Sequence, residues 1–206
     1  MMEEKYKKLL LKYIPPAALE QVYEYLQTHK VHLRISRARA SKLGDYRSPH
    51  NGSGHKISVN HNLNPYSFLI TLIHELAHLR VWQDHKNRVS PHGKEWKMAF
   101  KNMMQALLLE KVFPEDVEKA LKKYLLNAKA SSGSDASLTK VLNKYDHYEG
   151  FILEDLQEGS LFCIETGKTF RKGKKLRKRY QCICLENKRS YLVNPVAKVT
   201  PVKERP

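Results

Sequence analysis

The chain has 206 residues, 41% of them hydrophobic, and a formal net charge of +16, which suits one ordinary domain with at most a small appendage. Its three cysteines, an odd number, argue against a disulfide framework and fit a reducing cytoplasm. The charged opening Met1-Met-Glu-Glu-Lys-Tyr-Lys-Lys lacks a long apolar core, and the longest apolar stretch carries His and Glu, so neither a signal peptide nor a membrane span is expected.

Two short helices are expected first, Glu3 to Tyr13 and Ala17 to Thr28, parted by Pro15 and Pro16. Val31-His-Leu-Arg-Ile-Ser alternates and reads as a strand. Arg37 to Arg47 and His55 to Asn60 would add two more, joined by the Gly-rich turn Ser48-Pro-His-Asn-Gly-Ser-Gly. Asn64 and Pro65 then supply an N-cap and a first helical position. Leu69, Leu72, Ile73, Leu76 and Leu79 recur at helical spacing, and no Gly or Pro interrupts the run from Tyr66 to Arg88. Further helices are expected from Lys94 and from Pro114. The small, polar run from Ala128 to Ser137 reads as a linker. The expected division is therefore 1–127, a linker at 128–137, and a basic β-rich module at 138–206.

Residues His74-Glu-Leu-Ala-His78 lie inside the long apolar helix. Four residues apart, His74 and His78 project from one helical face and can reach one metal ion. Glu75 stands beside the first ligand, placed to take a proton from a water on the metal. Unpaired, these polar groups would be costly in such a setting, and a metal satisfies them. A catalytic zinc needs a third protein ligand and an open position. The candidates downstream are Asp84, His85, His92 and Glu95. A metzincin would need glycine where Val81 stands and histidine where Asp84 stands. His85 lies two turns beyond His78, and Glu95 falls short of gluzincin spacing. His92, in the loop-to-helix junction Ser90-Pro-His-Gly93, is the best choice, because a ligand there can fold back over the first helix.

Taken together, Lys42-Leu-Gly-Asp-Tyr-Arg, Ile57-Ser-Val-Asn-His-Asn-Leu, the His-Glu-Leu-Ala-His helix and His92-Gly-Lys-Glu-Trp resemble the SprT-like metallopeptidase domain over roughly residues 5 to 110. That family includes the Spartan proteases, which digest proteins crosslinked to DNA. The resemblance implies an α+β, zincin-like fold, one Zn2+ per chain on His74, His78 and His92, and Glu75 as the catalytic base. It also implies protein substrates associated with DNA. Zinc would acidify water and polarise a carbonyl; Glu75 would take the water's proton and pass it to the leaving amine. Tyr66, His61 and His85 are candidate helpers for the oxyanion.

Past the linker, short β-rich runs at Ser160, Tyr180, Ser190 and Ala197 suggest a small β-barrel or curled sheet. The segment Lys168 to Arg179 is expected as its first loop and holds eight cations and no acid: Lys168, Arg171, Lys172, Lys174, Lys175, Arg177, Lys178 and Arg179. With Phe170, Tyr180 and Tyr191 among them, these residues point to nucleic-acid binding, by phosphate neutralisation and base stacking. Single-stranded or irregular DNA, bound with weak sequence specificity, is the expected form. Many SprT-like proteins end in a zinc ribbon, but Cys163, Cys182 and Cys184, with His147 nearest, do not form two Cys-x-x-Cys knuckles. Buried thiols are expected instead. Two alternatives stand beside the DNA-linked peptidase: a nucleic-acid-binding protein with a structural zinc, and a general cytosolic metallopeptidase.

Overall fold

A computed structural model describes residues 2–39, 41–50, 52–126, 128, 135–146, 151–164 and 167–202. The chain separates into two compact units, Met1–Asp146 and His147–Pro206. The fold is α+β, with six helices and two sheets among the described residues. No helix among them is long and apolar enough to cross a membrane.

The first unit opens with α1 (Met2–Leu10), whose acidic first turn and basic last turn suit the helix dipole. It ends earlier than the sequence suggests, because Tyr13 and Ile14 both donate back to the Leu10 carbonyl and turn Ile14 into the core. A 3-10 turn at Pro16–Ala18 leads into α2 (Leu19–Thr28), which buries Val22 and Leu26. Three strands follow: β1 (His32–Ser36), β2 (Gly44–Arg47) and β3 (Lys56–Asn60). Their order is β1-β3-β2, with β1 parallel and β2 antiparallel to the central β3. The strand expected over Arg37 to Arg47 is thus confined to its last four residues. The Arg39 guanidinium donates to Asn60 Oδ1 (2.8 Å) and Ser58 Oγ (3.0 Å), and Asn60 Nδ2 donates to the Arg39 and Lys42 carbonyls. Those bonds hold Arg39 and Lys42 against the end of β3.

The long helix α3 (Pro65–His85) begins where Asn64 and Pro65 predict; Asn64 Oδ1 accepts from the Ser67 N–H at 2.9 Å. It is buried nearly all round, from Phe68 to Val81, which makes it the centre of the unit. Lys86 ends it with a left-handed backbone (φ 55°) and an N–H donated to the Trp82 carbonyl. Then come α4 (Lys94–Leu109), α5 (Glu115–Leu125) and α6 (Ala136–Leu142). Helix α6 moves the expected boundary at 138 to 147. Leu138 and Leu142 lie in the first unit's core, Asn64 Nδ2 donates to the Leu142 carbonyl (2.9 Å), and Tyr145 donates to Asp116. Polar composition misled here, since the apolar anchors sit just beyond the small residues. Most of the expected linker, residues 129–134, lies outside the described residues, as does His147.

The second unit is an antiparallel sheet of β4 (Phe151–Ile152), β5 (Leu161–Cys163), β6 (Thr169–Lys175), β7 (Tyr180–Cys184), β8 (Ser190–Val193) and β9 (Lys198–Val202). Its order, β4-β9-β5-β6-β7-β8, runs linearly, so among the described residues it is an open sheet and not a closed barrel. Alternation along β6 and β7 turns Phe170, Cys182 and Cys184 inward, where they pack with Leu153, Phe162 and Val199.

Candidate metal centre

Helix α3 carries His74, Glu75 and His78 at its buried middle, and the loop before α4 returns His92 over them. The floor is Trp96, fully buried one turn into α4. Its indole N–H donates to the His74 carbonyl at 3.3 Å, and its ring lies 4.5 Å from the His74 ring and 4.9 Å from the His92 ring. The three Nε2 atoms form a triangle with sides of 3.0 Å (His78–His92), 3.2 Å (His92–His74) and 3.3 Å (His78–His74). Burial, then the neighbouring histidines, depresses His74 to about 3; burial, then His92, depresses His78 to about 4. Burial also lowers His92. With Nε2 as the unprotonated nitrogen of each ring, three lone pairs converge on one point, an arrangement that a cation satisfies. This group could hold a metal ion.

Glu75 is buried beside the cluster, and burial, reinforced by Asp45, pushes its carboxyl up to about 8 against the pull of Arg39, Lys42 and the Tyr46 backbone N–H. Strand β2 passes directly over it. A Cβ added at Gly44 would collide with Glu75 Oε1 and stand 2.8 Å from Thr71 Cγ2, so only glycine lets the strand approach this closely. Glu75 and the three histidines open on one cavity of about 640 Å³, whose walls include Lys42, Tyr46, Trp82, Lys86 and Pro91.

The other sequence candidates lie elsewhere. Asp84 is paired with Arg80 at 3.0 Å. His85 and Glu95 line a separate, larger cavity of about 770 Å³, bordered by Ile73, Leu76 and Met103 on the opposite face of α3. Tyr66 packs against Phe113 and Tyr145, and His61 is exposed outside the cleft. None of the three expected oxyanion helpers therefore lines the cleft, because the helix carries Tyr66 and His85 away from its middle. Sequence reasoning passed over Gly44, Tyr46 and Trp96. Each stands in a segment that carried the family resemblance, and Trp96 follows His92 by one helical turn.

The cations expected to bind nucleic acid are not one loop but a β6–β7 hairpin. Lys168, Arg171, Lys174, Lys175, Arg177, Lys178 and Arg179 are exposed on it. Lys172 is a correction. It is 4% exposed, donates to the carbonyls of Leu156 (2.5 Å) and Glu154 (3.3 Å), and lies 4.0 Å from the centre of the Tyr180 ring. Strand alternation puts it on the Phe170 face, so its charge serves the fold. Phe170 is likewise core and not a stacking platform, and Lys175 is paired with Glu154 at 2.8 Å. Cys182 and Cys184 are fully buried, and Cys163 meets Thr169 Oγ1 at 3.4 Å.

The profile of the SprT-like family matches residues 16–119. Protein SprT of Klebsiella pneumoniae (strain 342) is 36% identical over 103 residues, covering 44% of this chain and 61% of that protein. Protein SprT of Escherichia coli (strain K12) is 61% identical over 31 residues, covering 15% of this chain and 18% of that protein. The chain thus spans less than two thirds of the length of these curated relatives. No solved structure matches it. A profile match across half the chain, spanning the histidine cluster, places the chain in the SprT-like family.

Proposed function

We propose that the chain is a zinc-dependent endopeptidase with a zincin-like catalytic domain, acting on proteins associated with or crosslinked to DNA. The observation that carries this reading is the Nε2 triangle sharing a cleft with the buried carboxyl of Glu75. Two nitrogens each about 2.0–2.1 Å from a tetrahedral zinc stand about 3.3–3.4 Å apart, close to the sides of this triangle. His74, His78 and His92 would hold the ion, leaving a position open toward the cavity. When bound, zinc supplies a Lewis acid that activates water and polarises a carbonyl.

The chain's own residues do the rest. Glu75, desolvated and held by the Tyr46 N–H, accepts the proton of the attacking water and returns it to the leaving amine. A positive ion nearby would favour its ionised form, counteracting the burial that now raises it. Strand β2 is the sheet edge beside this carboxyl, a position that suits an extended substrate laid along the cleft. A purely structural zinc is better closed by a fourth ligand, and no fourth His, Cys, Asp or Glu joins this group among the described residues. The exposed cations of the β6–β7 hairpin support the DNA association, with contacts chiefly to phosphate. Digestion of a DNA-binding protein, with and without single-stranded DNA, tests the reading. Zinc-dependent cleavage stimulated by DNA is expected; cleavage indifferent to DNA would reduce the chain to a general peptidase.

A further inference from the structure

Among the described residues, the cleft wall contains a single phenol. Tyr46 reaches it from β2, with its ring nearly parallel to the His78 ring (6° between planes, 6.5 Å between centroids). Its backbone N–H donates to the Glu75 carboxylate, so one residue is tied to both the base and a metal-facing imidazole. Its hydroxyl lies 3.0 Å from Nδ1 of His55. His55 is itself 9% exposed and meets the Trp82 ring edge-on, 5.2 Å between centroids. Lys86 also lies over that indole, its Nζ 3.9 Å from the ring centre. Burial, then the charges of His29 and Lys86, hold His55 neutral, which leaves it one N–H to give. Given from Nδ1, that hydrogen occupies a lone pair of the Tyr46 oxygen and frees the phenolic hydrogen for another acceptor.

We infer that Tyr46, oriented by His55, donates its phenolic hydrogen bond to the oxygen of the scissile carbonyl as that oxygen gains charge, an assignment that rests on the peptidase reading above. No bond to Tyr46 breaks. The carbonyl carbon gains the water oxygen, its own oxygen takes up the electron pair, and the hydrogen bond from Tyr46 strengthens until the C–N bond breaks and the carbonyl re-forms. Tyr46 is thus the catalytic group, and His55 positions it.

The test uses the full zinc-loaded chain as wild type, Tyr46→Phe, His55→Leu and His55→Asn, with Tyr66→Phe as a control away from the cleft. Four quantities are measured: zinc per chain, kcat and KM on an unfolded protein substrate, and the affinity of a peptide whose scissile amide is replaced by a tetrahedral phosphinic group. Tyr46→Phe is expected to keep its zinc, lose about 10²-fold in kcat with KM changed less than about twofold, and bind the phosphinic peptide at least about tenfold more weakly. His55→Leu should move the same way by less, and His55→Asn, which restores an amide donor, should recover part of the loss. Wild-type kcat and phosphinic affinity in Tyr46→Phe would overturn the assignment while leaving the peptidase reading intact. Loss of zinc in Tyr46→Phe would overturn it too, giving the ring a purely structural task against His78. A wild-type chain that neither cleaves nor binds the phosphinic peptide would end both readings.

Discussion

The two units treat buried polar groups in opposite ways, and the difference separates a site from a scaffold. In the first unit, His74, His78 and His92 turn their Nε2 atoms toward one another, and Glu75 sits buried beside them. In the second, the one buried cation among the described residues, Lys172, is satisfied by two backbone carbonyls and an aromatic ring. A polar group whose needs are met by its own chain is part of the fold. A convergent set whose needs are unmet asks for a ligand. The exposed cations around Lys172 belong to a third situation, charge displayed to solvent, where long-range attraction to a polyanion operates.

Removing the metal probes this contrast hardest. Chelation, or His92→Ala, should abolish hydrolysis and lower the melting temperature of the first unit, while the second unit's unfolding stays where it was. Two resolved calorimetric transitions would show which one moves. Next in size is Gly44→Ala. The added Cβ meets the Glu75 carboxylate, so activity should fall roughly 100-fold through a small displacement of the base, with zinc retained. Normal turnover by this variant would mean that β2 can withdraw without disturbing Glu75.

Phe162→Ala works on the other unit. Phe162 is fully buried against Phe170 (5.6 Å between centroids), and its loss should cost about 3–5 kcal/mol of that unit's stability without touching zinc content. Replacing Lys174, Arg177, Lys178 and Arg179 with Gln should leave both folds intact and lower the salt slope of DNA binding by roughly one per lost phosphate contact. Lys172→Gln is the informative companion: it should destabilise the sheet more than it changes the slope. The smallest effect is expected for Asn64→Ala, which removes the α3 cap and a bond to the Leu142 carbonyl, at about 1–2 kcal/mol by chemical denaturation.

The sequence made the metal helix legible because its signals are local: a cap, a proline, an apolar period and two histidines one turn apart. The same holds for Cys182 and Cys184, where a period of two suffices. What stayed hidden depends on contacts between distant segments. Gly44 matters only because β2 crosses Glu75, some thirty residues later in the chain, and Tyr46 matters only because His55 and His78 flank it. The basic run concealed its one buried member because charge was read without strand parity: Lys172 shares parity with Phe170. The unit boundary was missed because Leu138 and Leu142, the residues that anchor α6, follow directly on a polar stretch.

The claim on which the rest depends is that the three histidines hold a catalytic zinc served by Glu75. Hydrolysis of an unfolded protein by Glu75→Gln, with zinc measured in the same sample, tests it most directly. An amide keeps the shape of the side chain and removes the oxygen that takes the proton. The account predicts one zinc per chain and no cleavage above background; cleavage near the wild-type rate with zinc in place would contradict it.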